Sequence, residues 1–251
     1  ITPGYMVFTQ NFRDLLDQHV GSEADVTLLY HHVNNAKDSF SNCQVLECDK
    51  QKNLKSIGPN LGTANEKNIF MDTYIMKNEL FLRLIKEAQK ESSVLTLSEI
   101  LNMEKDKLNV KCVQHKGYFA AICDFRSYFE ANMELLDIDT ARSLFQPDWS
   151  IYTQTTDSCP TKYVDGASVR NSMIANGCVI EGDVENSVIG RGVTIKKGAV
   201  VRNCVILGHT EIDNDVHLEY QVVDKWAKII HIKEIIASPD KPGYIRREDV
   251  I

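Results

Sequence analysis

One phrase recurs through the second half of this chain: VRNSMI from Val169, VENSVI from Val184, VRNCVI from Val201 and, more loosely, LEYQVV from Leu218, the starts lying 15, 17 and 17 residues apart. Inside each copy runs a finer beat, a small or β-branched residue followed two places on by an aliphatic one. The pairs are Ser172/Ile174, Cys178/Ile180, Ser187/Ile189, Val193/Ile195, Ala199/Val201, Cys204/Ile206, Thr210/Ile212 and Val216/Leu218, usually six residues apart. A period near six with three beats to the turn is the mark of a parallel β-helix of hexapeptide repeats. Antiparallel hairpins would alternate with a period of two and show no repeat at the length of a coil. Gly177, Gly182, Gly190, Gly192, Gly198 and Gly208 fall between beats, where tight corners need permissive backbone.

The first half has another rhythm. YMVF at Tyr5, DVTLLYHHV from Asp25, QVLECD from Gln44 and IFMDTYIM from Ile69 read as strands, and VKCVQHKGYFAAI reads as a strand pair. Between them FRDLLDQHV places Phe12, Leu15, Leu16 and Val20 on one helix face behind a capping Asn11. NELFLRLIKEAQKE, capped by Asn78, does the same with Leu80, Phe81, Leu84, Ile85 and Ala88; a short LSEIL helix and a helix from Asp124 follow. Strands alternating with helices imply an α/β layer structure. From Pro147 the pattern dissolves into Pro, Thr, Asp and Ser, a linker. The expected fold is therefore α/β followed by all-β: an α/β domain over 1–146, a linker over 147–162, and a β-helix with a C-terminal tail over 163–251.

Composition limits the chemistry. The length of 251 residues suits two domains. No apolar run approaches the ~20 residues needed to cross a bilayer, and a net charge of −7 without basic patches argues against nucleic acid. Seven cysteines with no C-x-x-C pair fit reduced thiols in a cytoplasm. Cys178 and Cys204 fall on the apolar beat, as small hydrophobes do. The chain starts at Ile1 in an apparent strand and reads as a piece of something longer. Its one G-x-G, Gly190-Arg191-Gly192, falls at a β-helix corner and lacks the strand-to-helix setting of a phosphate loop. His31 and His32 adjoin in a strand, face opposite ways and cannot chelate one ion together. No spacing suggests zinc or a nucleophile elbow, so no metal or cofactor of this chain's own is expected. His209 and His217 are the candidates for the general base of a hexapeptide acyltransferase, but both take outward positions.

An α/β half, then SIYTQTTDSCPTKY, then V-x-N-S-V-I coils ending in LEYQVVDK closely resembles the sugar-nucleotide pyrophosphorylases, and more narrowly the glucose-1-phosphate adenylyltransferase family, over nearly all of residues 1–230. The resemblance implies a nucleotidyltransferase-like α/β domain and a left-handed β-helix. It also implies a reaction in which Mg²⁺, held by acidic residues, neutralises charge as a sugar phosphate attacks ATP. The family's first acidic position, in a G-D-H strand end, falls on Tyr5 of GYMVFTQNF. Its second, in G-Y-W-x-D-V-G-T, falls on Ala121 of GYFAAICD, and its sugar-phosphate lysine, in F-x-E-K-P, falls on Gly58 of LKSIGP. The family's glycine-rich ATP loop would lie ahead of Ile1. These replacements narrow the resemblance to the non-catalytic, regulatory type of subunit in glycogen biosynthesis. Such a subunit has a catalytic partner in a hetero-oligomer, with a homo-oligomer as the alternative. Arg246 and Arg247, with Lys241 nearby, form the candidate effector site, since forked guanidinium groups suit a sugar bisphosphate, against the reading of a solvated charged tail. Two other readings stay open, an active pyrophosphorylase and a hexapeptide acyltransferase.

Overall fold

The structure, a computed structural model, describes residues 1–90, 94–147, 151–153 and 156–251. It forms two compact units, Ile1–Asp124 and Phe125–Ile251. The expected fold class is the observed one, an α/β region followed by a parallel β-solenoid.

The first unit contains β1 (Met6–Phe8), α1 (Phe12–Gly21), β2 (Val26–Val33), β3 (Gln44–Cys48), β4 (Leu54–Pro59), β5 (Lys67–Met76), α2 (Asn78–Ala88), α3 (Leu97–Glu104), β6 (Val110–Gln114) and β7 (Phe119–Ala121). A five-stranded sheet runs in the order β4-β3-β5-β2-β6; β2 and β6 are parallel and the other pairs antiparallel. Strand β2 is buried on both faces. Val26, Leu28 and Tyr30 join Phe70, Leu84 and Leu101 on one side, while Leu29 and Val33 join Leu15, Ile69 and Met71 on the other. That two-sided burial is why β2 reads as an almost continuous apolar run.

Both sheet edges are occupied. Asn102 of α3 sets its amide on edge strand β4, accepting from Ile57 N–H at 2.9 Å and donating to the Ile57 carbonyl. At the far edge the β3–β4 turn reaches β6, with Cys112 N–H donating to Lys52 O at 2.8 Å and Asn53 bridging Lys111. These contacts satisfy backbone that would otherwise invite pairing with another chain.

Helix α1 starts as its sequence demands, the Asn11 side chain accepting from Arg13 and Asp14 N–H. Helix α2 departs from expectation: β5 runs to Met76, so the cap position falls on Lys77, which makes no side-chain cap bond, and Asn78 is already helical. Helix α3 carries a Thr96/Glu99 capping box. The expected strand pair of VKCVQHKGYFAAI separates, β6 joining β2 and β7 joining β1 in a two-stranded ladder.

The second unit opens with α4 (Phe125–Glu134) and α5 (Ile138–Leu144). Both helices lie inside the expected 1–146 domain, yet α4 packs on the solenoid, Phe129 closing over Val205 and Val222. The expected linker lies partly outside the described residues, at 148–150 and 154–155. Three parallel five-stranded sheets build the solenoid walls, containing residues 162–163, 168–170 and 173–174 at one end and 228–229, 234–236 and 243–245 at the other. Ladder register stacks Ile180, Ile195, Ile212 and Ile229 in one column, Val169, Val184, Val201, Leu218 and Ile235 in a second, and Ile174, Ile189, Ile206, Val223 and Ile245 in a third. Each fully buried aliphatic side chain contributes about 1.5–3 kcal/mol.

The corners differ from expectation in part. Gly177, Gly192 and Gly198 have positive φ, but so do Asn171, Asn186 and Asn203 of the repeated phrase, at +41°, +46° and +51°. Asparagine tolerates this region because its short amide bonds locally. Gly182 serves a different need: a Cβ there would collide with the Ala199 carbonyl and lie 2.9 Å from Lys196 O on the next coil. The expected C-terminal tail is part of the solenoid, since residues 243–245 pair with 221–223 and the Ile251 carbonyl accepts from Ile230 and His231 N–H. Among the described residues no helix is long and apolar enough to cross a membrane.

Because the obstacle at Gly182 is backbone, Gly182→Ala should destabilise the chain by about 1–3 kcal/mol, read as a lower urea midpoint. Gly4→Ala, whose Cβ meets nothing within 4 Å, should stay within about 0.5 kcal/mol of the parent.

Candidate functional site

The two-stranded ladder of the first unit brings together the two positions at which the family resemblance places its acids. Met6 pairs with Ala121, Val7 with Ala120 and Phe8 with Phe119, and Ile122 N–H donates to Tyr5 O at 2.7 Å. Tyr5 thus stands opposite Ile122, one register step from the Met6–Ala121 pair; Ala121 is buried in the core with Met6, while Tyr5 is 41% exposed. A magnesium ion at this point would need anionic oxygen, and the residues present do not fit it. Ala121 offers a methyl group, and burial together with the Asp72 carboxylate pushes the Tyr5 phenol up to about 12, so it stays protonated at neutral pH. Among the described residues no group of three or more His, Cys, Asp or Glu is placed to hold a metal ion.

The nearby acid is one that sequence reading passed over. Between Leu29 and Tyr30 the β2–β5 register slips, Leu29 pairing with Thr73 and Tyr30 with Phe70. The intervening β5 residues bulge, and Asp72 adopts φ +46°. Its carboxylate accepts the Tyr74 hydroxyl at 2.5 Å. Burial first, and this hydrogen bond second, raise the Tyr74 pKa. The result is one carboxylate beside two protonated phenols. No sequence signal marks it, because the bulge depends on how two distant strands align.

Gly58, where the resemblance would place a sugar-phosphate lysine, lies on β4 opposite Val45. It lines a cavity of ≈ 140 Å³ with Glu47, Ser56, Asn60 and Lys67, and a Cβ there would meet nothing within 4 Å. Gly58 is tied indirectly to the Tyr5 region: Asn60 N–H donates to Cys43 O at 3.0 Å, and Cys43 is one of the groups acting on the Tyr5 phenol.

The histidines divide by face as strand alternation requires. His32 is exposed, its Nδ1 2.9 Å from Asn68 Oδ1. His31 turns inward, Nδ1 3.1 Å from His115 Nδ1, with its ring stacked on Phe119 at 4.9 Å. Since His115 Nε2 lies 3.0 Å from the Thr9 carbonyl, it carries the proton there, and the hydrogen bond between the rings runs from His31 to His115. Burial, and then the His115 ring, push His31 down to about 4; burial lowers His115 as well.

In the second unit, Lys241, Arg246 and Arg247 are exposed. Arg246 N–H donates to Asp249 Oδ2 at 3.3 Å and Arg247 Nε to Glu248 at 3.1 Å. His209 and His217 hold the outward positions expected of them, His209 stacked on Trp226 at 4.1 Å and His217 Nδ1 3.6 Å from Glu234.

Residues 159–241 match the family described as GlmU-like, C-terminal hexapeptide. The chain is 32% identical over 196 residues to the glycogen biosynthesis protein GlgD of Bacillus subtilis (strain 168), covering 78% of this chain and 57% of that protein. It is 26% identical over 226 residues to the glucose-1-phosphate adenylyltransferases of Bacillus thuringiensis (strain Al Hakam) and Bacillus anthracis, covering 89% of this chain and 60% of each. The chain therefore spans less than two thirds of the length of these relatives.

The His31 environment has a consequence for stability. Between pH 6.5 and about 4 the unfolded chain binds a proton at this residue that the folded chain refuses, so stability falls as pH drops through that window. The loss should be about 1–2 kcal/mol, discounted for the partial solvent contact of the ring. Urea unfolding from pH 7 to pH 4 should show a shallower pH dependence in His31→Gln, and the His31 ring proton should titrate near pH 4 by NMR.

Proposed function

We propose that this chain, a relative of the glucose-1-phosphate adenylyltransferase family, works in glycogen biosynthesis as a regulatory, catalytically degenerate subunit. In this reading it modulates a cytoplasmic catalytic partner that makes ADP-glucose from ATP and glucose 1-phosphate. The observation that carries the proposal is the chemistry at the two positions where the resemblance places the family's acids: a phenol that stays protonated at Tyr5 and a buried methyl group at Ala121. Losing one carboxylate could reflect a shifted alignment. Replacement at both positions supports a real exchange, and neither a protonated phenol nor a methyl group can neutralise charge developing on a phosphate.

The higher identity to a glycogen biosynthesis protein than to the named adenylyltransferases supports the same reading. The partner would supply Mg²⁺, the nucleotide and the chemistry, and this chain would supply subunit contacts through its solenoid. We assign Lys241, Arg246 and Arg247 as its effector site for a sugar bisphosphate, because all three are exposed cations on the final solenoid strands and turns and guanidinium forks match phosphate.

A second reading, an active pyrophosphorylase, draws on the adenylyltransferases that align with 89% of this chain. The two separate in one assay. Alone with Mg²⁺, the full-length protein should form ADP-glucose at least about a hundredfold more slowly than the catalytic subunit of its own organism, the scale expected when metal-borne stabilisation is lost. Mixed with that subunit, it should change the subunit's turnover or effector response. Turnover alone equal to the catalytic subunit's would overturn the proposal, as would the absence of both binding and modulation. For the effector site, calorimetric titration with fructose 1,6-bisphosphate should show binding that Arg246→Ala/Arg247→Ala abolishes; unchanged binding removes these residues from the assignment.

A further inference from the structure

Two thiols flank the Tyr5 phenol. Cys43 is 2% exposed in a core cluster with Met6, Leu15 and Ala121, and Cys123, half-buried, packs against the same cluster. Their side chains share a hydrogen bond. The backbone holds both in place. Cys43 N–H donates to Phe40 O at 3.0 Å and its carbonyl accepts from Asn60 N–H at 3.0 Å, while Asn60 uses its own amide to hold the Ala36 carbonyl at 2.8 Å. Cys123 follows Ile122, whose N–H is fixed to Tyr5 O.

The pair is asymmetric. The hydrogen bond from Cys43 lowers the Cys123 pKa, and the same bond together with burial raises that of Cys43. Cys123 is thus the more nucleophilic member and the better exposed one, with Cys43 in contact behind it. A solvent-accessible thiol of lowered pKa with a second thiol in contact is the arrangement that favours stepwise dithiol oxidation. The other buried thiols differ: Cys178 donates to Ala175 O at 3.1 Å and Cys204 to Arg202 O at 3.0 Å, each inside the solenoid, and Cys112 of the first unit is pushed up to about 12 by burial.

We propose that Cys43 and Cys123 form a reversible oxidation site, at which a hydroperoxide converts the contacting thiols into an intramolecular disulfide. The Cys123 thiolate attacks the distal peroxide oxygen, breaking the O–O bond and leaving a sulfenic acid, while the departing alkoxide or hydroxide takes up a proton. Cys43 then attacks the Cys123 sulfur, the S–S bond forms, and the sulfenic oxygen leaves as water with the Cys43 proton. The two thiols lose two electrons in all and the peroxide gains them. A thiol reductant reverses the change. The bond would join the loop entering β3 to the segment leaving β7, clamping the strand that carries Tyr5. This inference is independent of the regulatory reading.

Peptide mapping of the full chain after brief hydrogen peroxide treatment and alkylation tests it without any substitution. The expected product is a Cys43–Cys123 cross-linked peptide, removed by dithiothreitol and formed before Cys178 or Cys204 reacts. In Cys43→Ser, Cys123 should instead accumulate a sulfenic acid that dimedone captures. The proposal is overturned if wild-type Cys123 advances to sulfinic acid without the cross-link, if it pairs with a different cysteine, or if exposed Cys159 is consumed while Cys43 and Cys123 remain reduced.

Discussion

A strand in a parallel coil has only the coils above and below to pair with, so each interior position must match the same position one turn away in size. That stacking constraint organises the second unit. Three aliphatic columns fill its interior, and beside them run small residues such as Cys178, Val193, Thr210 and Ala227, all buried. Where the coil from Val169 to Val184 is two residues shorter than the next, the chain turns so close to its neighbour that Gly182 has no room for a Cβ. The outer face obeys the same register. Val205 and Val222 line up outward as well as along the chain, and the apolar strip they form is what Phe129 of α4 covers.

In the first unit hydrogen bonding, not side-chain size, brings the candidate site together. The β1–β7 ladder needs only backbone groups to set Ala121 opposite Met6 and Tyr5 opposite Ile122, so it tolerates exchange of the side chains it presents. The local charge balance does change. Negative charge sits on Asp72, in a bulge of β5, and the phenols of Tyr5 and Tyr74 answer it as protonated groups. A half-buried carboxylate that accepts from a hydroxyl donor is a stable arrangement. It is also a different electrostatic object from a pair of carboxylates around a cation.

Much of this was legible in the residues. Periodicity showed the solenoid, and Asn11 marked where α1 begins. Of the apolar face expected for that helix, however, only Leu15 is buried: Phe12, Leu16 and Val20 stay exposed and His19 takes the other inward place. Other signals were present but unread: Thr96 and Glu99 have the spacing of a capping box, and the N of V-x-N-S-V-I is the residue type that suits a left-handed corner. Strand β4 escaped notice because LKSIGP neither alternates nor forms an apolar run, and its place is secured by Asn102 from another element. Helix α4 was assigned with the α/β residues because an amphipathic face shows that something is covered without showing what.

The amino-acid order by itself determined the class of each half, the coil length of the solenoid and the residues that fill it. These follow from local spacing, since a repeat or a strand alternation is a property of neighbours in the chain. Tertiary structure alone decided that Tyr5 and Ala121 fall one register step apart, that Asp72 lies in a bulge and acts on the Tyr5 phenol, that Cys43 touches Cys123, and that the final residues close the solenoid instead of trailing from it. Each of those depends on register between segments far apart in sequence, and register is set by how whole elements pack rather than by any residue within one of them.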